Sequence, residues 1–246
     1  LLQEALDLED RGNLYEAINI YQILISEDPT NLLYLYNHAL LLISQNNFKK
    51  AIYLIEGSSA NYSQSFEINF CLGFSYRQIG EIDSALAIYL KTEKLHQKST
   101  QLDGEIGIIY KEKKNYEKSL FYFNKVIKAN PNWALAYDAI GEIYSDQGKY
   151  KNAINFFDKA IELDPKYAAA YNNKGAILKK ILNYENAIIE FDKAITLNSL
   201  LSDKSCATDF FISYEDADSS IIRPSKYNQK VELTTSTLDD VLNKFT

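Results

Sequence analysis

The pattern of apolar and polar residues between positions 137 and 160 predicts two amphipathic helices. In each half, apolar or small residues recur on one helical face. A turn at Gly148-Lys149 separates the halves. Asp164-Pro165 ends the second helix, because proline cannot continue a helix and restricts the residue before it. The first face comprises Tyr137, Ile140, Gly141 and Tyr144, and the second comprises Ala153, Ile154, Phe157 and Ala160.

The same pattern returns every 34 residues along most of the chain. Two small residues lie 12 positions apart in each repeat, and a large residue follows the second one four positions later. Chance does not keep such a register through six repeats, so the period predicts a repeat architecture. The first small position holds Ala5, Ala39, Gly73, Gly107, Gly141 and Gly175; the second holds Ala17, Ala51, Ala85, Ser119, Ala153 and Ala187; the large position holds Tyr21, Ile55, Tyr89, Phe123, Phe157 and Phe191.

Each repeat therefore predicts one helical hairpin. A single hairpin cannot bury its apolar face alone, so neighbouring hairpins must stack in a quasi-one-dimensional array. Because Gly141 and Ala153 have little or no side chain, we expect the two helices of a hairpin to approach closely there. The alternative is an ordinary helical bundle, which would not keep a constant register.

These repeats resemble the tetratricopeptide repeat family. The clearest segments are residues 134–144, residues 150–160 and the stop at Asp164-Pro165. The resemblance implies an all-α, right-handed α-solenoid of about six antiparallel helix hairpins over residues 1–201, the first hairpin truncated. Such a fold says little about function by itself.

Some repeats depart from the family pattern. The second repeat runs Gly57-Ser-Ser-Ala-Asn-Tyr62 and lacks its closing proline, so we expect its second helix to be short. The third repeat has Gln97 and the sixth has Ser199 at the position of that proline. We expect these junctions to be looser or to bend differently.

In this family the first helices of the repeats line a concave groove, which implies a binding surface here. Repeats 2 to 6 begin at residues 32, 66, 100, 134 and 168, and the second, fifth, ninth and twelfth residues of each repeat would face the groove. The groove would be apolar in repeats 2 to 4 and mostly polar in repeats 5 and 6. The candidate site residues are Tyr36, Leu40, Phe70, Phe74 and Ile108, with Arg77 and Lys111 at the edge.

Exposed apolar surface usually marks a contact site, and aromatic residues usually anchor it. We therefore expect a protein or peptide segment to place apolar side chains across repeats 2 to 4, with an acidic group near Arg77 and Lys111. The alternative is that these residues are covered by the chain's own C-terminal part or by a segment outside this sequence.

The repeat frame ends near Leu201. Residues 202–236 form a polar stretch, acidic at its start, that predicts a linker. Residues 237–245 predict a short amphipathic helix, capped by Thr237, with apolar residues Leu238, Val241, Leu242 and Phe245. Such a helix is too short to be stable alone. Two interpretations follow: it covers the end of the array or another part of it, or it docks into the groove, in cis or in a second copy, as an autoinhibitory or dimerising segment.

Composition narrows the classes of partner. The net charge is −7 and the pI about 5.0, which argues against nucleic acid and against an anionic membrane surface. No apolar run is long enough to span a bilayer. The two cysteines, Cys71 and Cys206, are too few for a disulfide framework and suit a reducing, cytoplasmic compartment. The chain begins at Leu1 and contains no methionine, so we expect it to be a fragment.

The sequence contains no recognisable catalytic motif. The two histidines, His38 and His96, lie 58 residues apart, and no HExxH, paired CxxC or GxxxxGK[ST] motif is present. We expect no enzymatic activity, no cofactor and no metal ion. The favoured function is a protein-interaction scaffold or adaptor. The alternatives are a regulatory or targeting module of a larger multidomain enzyme or signalling protein, and a structural unit that self-associates.

Overall fold

The computed structural model describes residues 1–59, 61–96 and 99–203. Over these residues the chain forms α-helices, one short 3₁₀ helix at Tyr62–Gln64 and no strand. The predicted all-α fold is confirmed. The α-helices are α1 (Leu2–Asp10), α2 (Leu14–Glu27), α3 (Leu32–Ser44), α4 (Phe48–Glu56), α5 (Phe66–Gln78), α6 (Ile82–Leu95), α7 (Thr100–Glu112), α8 (Tyr116–Ala129), α9 (Ala134–Asp146), α10 (Tyr150–Leu163), α11 (Ala168–Lys180) and α12 (Tyr184–Asp203).

The chain divides into two compact units, an N-terminal unit of residues 1–113 and a C-terminal unit that begins at residue 114. In the N-terminal unit, each helix from α1 to α7 packs against the next, and α3 also packs against α5. In the C-terminal unit, α8 to α12 pack consecutively in the same way. No helix within the described ranges is long and apolar enough to cross a membrane.

The 34-residue period is confirmed in the helix boundaries. First helices begin at residues 32, 66, 100, 134 and 168, and second helices begin at residues 14, 48, 82, 116, 150 and 184. The turn inside each hairpin repeats as well, because one residue there takes a positive φ that ends the first helix. These turn residues are Gly12, Asn46, Gly80, Lys114, Gly148 and Leu182.

The predicted helix stops are also confirmed. Helices α2, α8 and α10 end immediately before the dipeptides Asp28-Pro29, Asn130-Pro131 and Asp164-Pro165. Helix α4 has 9 residues where α2 has 14, as expected from the stretch Gly57-Ser-Ser-Ala-Asn-Tyr62 that follows it. Helix α12 continues to Asp203, slightly past the predicted end of the array at residue 201. The rest of the predicted linker and the predicted helix at 237–245 lie outside the described residues.

The small and large repeat positions meet inside three of the hairpins, those of repeats 3, 5 and 6. A side chain added at Gly73 would lie 2.3 Å from the Tyr89 ring, and one added at Gly141 would lie 2.6 Å from the Phe157 ring. Gly175 faces Phe191 in the same way at 2.9 Å. The close approach predicted at Gly141 therefore serves to seat an aromatic ring of the partner helix directly on helix backbone.

Candidate partner-binding surface

Helix α3 carries no charged residue. The chain carries no Asp, Glu, Lys or Arg from Pro29 to Phe48, a range that contains the whole of α3. The Asn31 side chain caps its start by accepting a hydrogen bond from the Leu33 amide at 3.1 Å. A helix with so few polar residues and no charged one is expected to be largely buried, so the environment of each of its faces is informative.

Two faces of α3 are buried within the N-terminal unit. Leu35 and Leu42 lie in a core cluster with residues of α4 and α5. Leu41 lies in a second cluster, with Ala5, Tyr21 and Leu24 of α1 and α2. The third face is only partly covered. It carries Leu33, Tyr36 and Leu40, spaced i, i+3 and i+7, and these three residues are called the α3 strip below.

The α3 strip includes two of the predicted site residues, Tyr36 and Leu40, both half-buried. Leu33 is 39% exposed to solvent. It belongs to the same repeat frame but was not among the site residues that we singled out. As the second residue of repeat 2, Leu33 occupies a position that the repeat frame directs to the groove.

Phe70 and Phe74 on α5 are buried, with only 8% and 7% of their surface exposed. The Phe70 ring lies 5.8 Å from Phe66 and 5.6 Å from Tyr89, and Phe74 meets Phe48 edge-on at 6.1 Å, all between ring centroids. The expectation that these two rings form exposed surface is wrong, because neighbouring aromatic residues cover them. Whether they take part in binding stays a prediction.

Arg77 already has two carboxylate partners. Its Nε donates to Glu105 at 3.0 Å and an Nη atom donates to Glu112 at 3.3 Å, both on α7. The guanidinium also lies 5.6 Å from the centroid of the Phe74 ring. Burial raises the pKa of Glu105, and Arg77 opposes that rise by stabilising the charged form. The charge of Arg77 is therefore balanced within the protein, which weakens the expectation that it holds an acidic group of a partner.

The remaining site residues, Ile108 and Lys111, lie on α7, and both are half-buried. Helix α5 packs against α3, and the Arg77–Glu105 ion pair joins α5 to α7. The structure thus brings all seven predicted residues onto three neighbouring helices of one compact unit.

The corresponding helices of the C-terminal unit, α9 and α11, are more polar. Asp138 is buried and accepts hydrogen bonds from the Asn173 amide at 3.0 Å and the Tyr167 hydroxyl at 3.3 Å. Burial and the nearby Asp138 raise the pKa of Tyr167. These side chains are engaged with each other, so apolar surface of the kind found on α3 has no counterpart here.

The two histidines are structural in this fold. His38 on α3 is buried, and its ring stacks on Tyr21 with a centroid separation of 6.0 Å. Burial lowers the pKa of His38 to about 4. His96 places a ring nitrogen 3.0 Å from the Gln64 carbonyl oxygen. Among the described residues, no group of three or more His, Cys, Asp or Glu side chains could hold a metal ion.

Consecutive helical hairpins with a 34-residue period define a helical repeat protein. The family model "TPR repeat" matches residues 141–181, and the model "Tetratricopeptide repeat" matches residues 104–132 and 168–199. A third model, "Anaphase-promoting complex, cyclosome, subunit 3", matches residues 10–92. These matches support the tetratricopeptide repeat family that the sequence predicted, and with it a general role as a protein-interaction module.

Solved structures share this fold. A tetratricopeptide repeat protein from Parabacteroides merdae is 22% identical, with a TM-score of 0.67, and the match covers 82% of this chain and 80% of that one. MamA from Desulfovibrio magneticus is 20% identical, with a TM-score of 0.59, and the match covers 70% and 97%. YrrB, described as a TPR protein with an unusual peptide-binding site, is 22% identical, with a TM-score of 0.54 and coverage of 75% and 97%. No curated protein matches the chain.

Proposed function

We propose that the N-terminal unit is an adaptor surface that binds a protein or peptide segment through apolar side chains laid on the α3 strip. The observation that carries this proposal is an uncharged helix, buried on two faces, whose third face keeps Leu33, Tyr36 and Leu40 partly open to solvent. Exposed apolar side chains in a row favour a contact, because a partner that covers them removes apolar area from water.

Phe70 and Phe74 have a supporting part in this proposal. Phe74 lies in the core cluster that also contains Leu35 and Leu42 of α3, and Phe70 packs against Tyr89 of α6. Ile108 and Lys111 on α7 would extend the contact beyond α5. Because Glu105 and Glu112 already balance Arg77, we propose that apolar contacts dominate and that an acidic partner group at Arg77 is not required.

YrrB, which has the same fold, is described as having a peptide-binding site. That likeness concerns the fold, and the choice of the α3 strip as the site rests on the burial pattern of this chain alone.

A peptide-display library, panned against the full chain, tests the proposal. We expect selected peptides to be rich in Leu, Ile, Phe or Trp, and we expect Leu33→Asp to weaken their binding at least about tenfold, a change worth about 1.4 kcal/mol. The matched control is Ile23→Asp on α2. Ile23 is 47% exposed against 39% for Leu33, so both substitutions place a charge on an exposed aliphatic site of the same unit.

The proposal fails if Leu33→Asp and Ile23→Asp bind the selected peptides equally well, or if no apolar consensus emerges. Phe70→Ala and Phe74→Ala are unsuitable variants for this test. Both side chains are buried, so their loss would cost about 3–5 kcal/mol of stability through cavity formation.

A further inference from the structure

The hairpin turn between α11 and α12 carries two adjacent exposed aliphatic residues. Ile181 is 43% exposed and Leu182 is 70% exposed. The backbone amides of residues 181, 182 and 183 all donate to carbonyl oxygens of α11, so hydrogen bonds close the turn without any help from these side chains. Exposed aliphatic surface of this kind is typical of a contact site.

Leucine is an unfavourable residue at this position of the turn. Leu182 has a φ of 62°, in the left-handed region that the leucine side chain disfavours. A residue that is strained and also exposed contributes little to the fold, and such strain points to a functional role. The equivalent residues of the other repeats are glycine or polar, namely Gly12, Asn46, Gly80, Lys114 and Gly148.

Two basic residues precede the two aliphatic ones. Helix α11 ends in Lys179-Lys180, and the Lys180 ammonium group lies 5.9 Å from the centroid of the Tyr150 ring. Residues 179–182 are called the repeat-6 tip below. A surface that matches this tip has to offer apolar area next to negative charge.

The α3 strip offers this combination. Leu41 of α3 shares a core cluster with Ala5 of α1, and α5 packs against α3, so the strip has α1 and α5 as neighbours. Helices α1, α3 and α5 carry five carboxylates and one basic residue, Arg77, which Glu105 and Glu112 already balance. The five carboxylates belong to Glu4, Asp7, Glu9, Asp10 and Glu67.

We propose that the repeat-6 tip of one copy docks on the α3 strip of a second copy, so that the protein associates head to tail. This placement rests on the proposed function, because the α3 strip is the receiving surface. Ile181 and Leu182 cover the open part of the strip at Leu33, and Lys180 lies toward the carboxylates of α1. A second copy is the favoured partner because each copy carries both complementary surfaces, the apolar and acidic one and the apolar and basic one.

A contact between two different surfaces is heterologous, so association continues to open chains or closed rings instead of ending at a symmetric dimer. Sedimentation velocity of the full chain at increasing protein concentration tests this. We expect the average mass to rise past that of a dimer. The rise should be smaller at high salt, which screens the attraction between Lys180 and the carboxylates.

Leu182→Gly removes the most exposed side chain of the tip and should weaken self-association at least about tenfold. Loss of the fold cannot explain that result, because glycine adopts a positive φ readily. The matched control is Ile189→Ala on α12. Ile189 is 49% exposed in the same unit, so alanine removes exposed aliphatic surface outside the tip, and self-association should stay unchanged. A chain that is monomeric at every concentration, or equal effects of the two substitutions, would overturn the proposal.

Mixing two defective variants distinguishes a head-to-tail contact from a symmetric one. Leu33→Asp damages the strip and keeps an intact tip, whereas Leu182→Gly damages the tip and keeps an intact strip. Neither variant should associate alone. We expect the mixture to form a heterodimer that grows no further, and a mixture that stays monomeric contradicts the head-to-tail contact.

Failure of this inference and failure of the proposed function give different results. If selected peptides bind the α3 strip while the chain stays monomeric, the inference is overturned and the proposed function stands. If Leu33→Asp changes neither peptide binding nor self-association, both are overturned. If the monomeric chain sediments with phosphatidylserine vesicles and Leu182→Gly does not, the tip belongs to an anionic membrane surface, which also overturns the inference.

Discussion

Replacing Gly141 with alanine examines the contact that sets the spacing of the two helices in a hairpin. The added methyl group would lie 2.6 Å from the ring of Phe157, well inside the contact distance of about 3.5–4.0 Å between carbon atoms. Phe157 is fully buried, so its ring has no free space in which to move. Overpacking of this kind costs about 1–3 kcal/mol, and alanine recovers about 1 kcal/mol of helix propensity over glycine.

Three equivalent glycines give a graded series. The distances from an added Cβ to the facing ring are 2.3 Å at Gly73, 2.6 Å at Gly141 and 2.9 Å at Gly175. We expect Gly73→Ala to lose about 2 kcal/mol, Gly141→Ala about 1 kcal/mol, and Gly175→Ala to change stability little, because propensity offsets the smaller overlap there.

Urea unfolding of the full chain measures these differences through the midpoint concentration. The single tryptophan, Trp133, lies in the C-terminal unit and reports on Gly141→Ala and Gly175→Ala by fluorescence, while circular dichroism follows Gly73→Ala. A stabilised Gly73→Ala, or a reversed order, would refute the steric argument.

A double-mutant cycle separates the steric overlap between the added methyl group and the Phe157 ring from other effects of the substitution. In repeat 2 alanine has a smaller partner, Ala39 with Ile55, at the positions of Gly141 and Phe157, whereas repeat 1 combines Ala5 with Tyr21. We expect the cost of Gly141→Ala to fall by about 1–2 kcal/mol when Phe157→Ile is present. Additive effects would show that the methyl group and the ring do not interact.

Three further predictions concern two buried side chains and one residue with a strained backbone. Burial lowers the pKa of His38 from 6.5 to about 4, so protonation favours the unfolded chain. The free energy of unfolding should therefore fall as the pH drops from 6.5 towards 4, by about 2 kcal/mol at pH 5. His38→Leu, compared with the unchanged protein by urea unfolding at pH 7 and pH 5, should lose this part of the pH dependence. Leu182 has a φ of 62° and an exposed side chain, so Leu182→Gly should raise the free energy of unfolding by about 1 kcal/mol, whereas Lys180→Gly in the preceding helix should lower it. The Tyr89 hydroxyl is buried without a hydrogen-bond partner, so Tyr89→Phe should keep or raise the thermal midpoint rather than lower it.

The architecture was predictable because it depends on local and strictly periodic features. Prolines at 29, 131 and 165 mark helix ends, and the Gly57–Tyr62 stretch correctly indicated a short α4. The left-handed turn position was less visible in the sequence. Glycine occupies it in three of the six repeats, and Asn46, Lys114 and Leu182 take the same positive φ in the other three.

The sequence predicted which helices carry the candidate site, but not which of its side chains are exposed. The repeat frame predicts which way a side chain points, and it predicted that Tyr36, Phe70 and Ile108 lie on neighbouring helices. It does not state what covers that side chain. Phe66 covers the ring of Phe70, and Phe48 covers the ring of Phe74. The two carboxylates that balance the charge of Arg77 lie 28 and 35 residues farther along the chain, in a different repeat.

The constant and the variable positions of the repeat carry different information. The two small positions and the large position keep their size throughout because they seat one helix on the other, as Gly141 and Phe157 do. The fifth position of the first helix has no such constraint: it holds Tyr36, Phe70, Gly104, Asp138 and Asn172 in successive repeats. Hairpin packing therefore accounts for what the repeats share. Tyr36 and Leu40 of α3 pack in part against the core cluster that contains Leu35 and Leu42, and we propose that a partner covers the rest of their apolar surface.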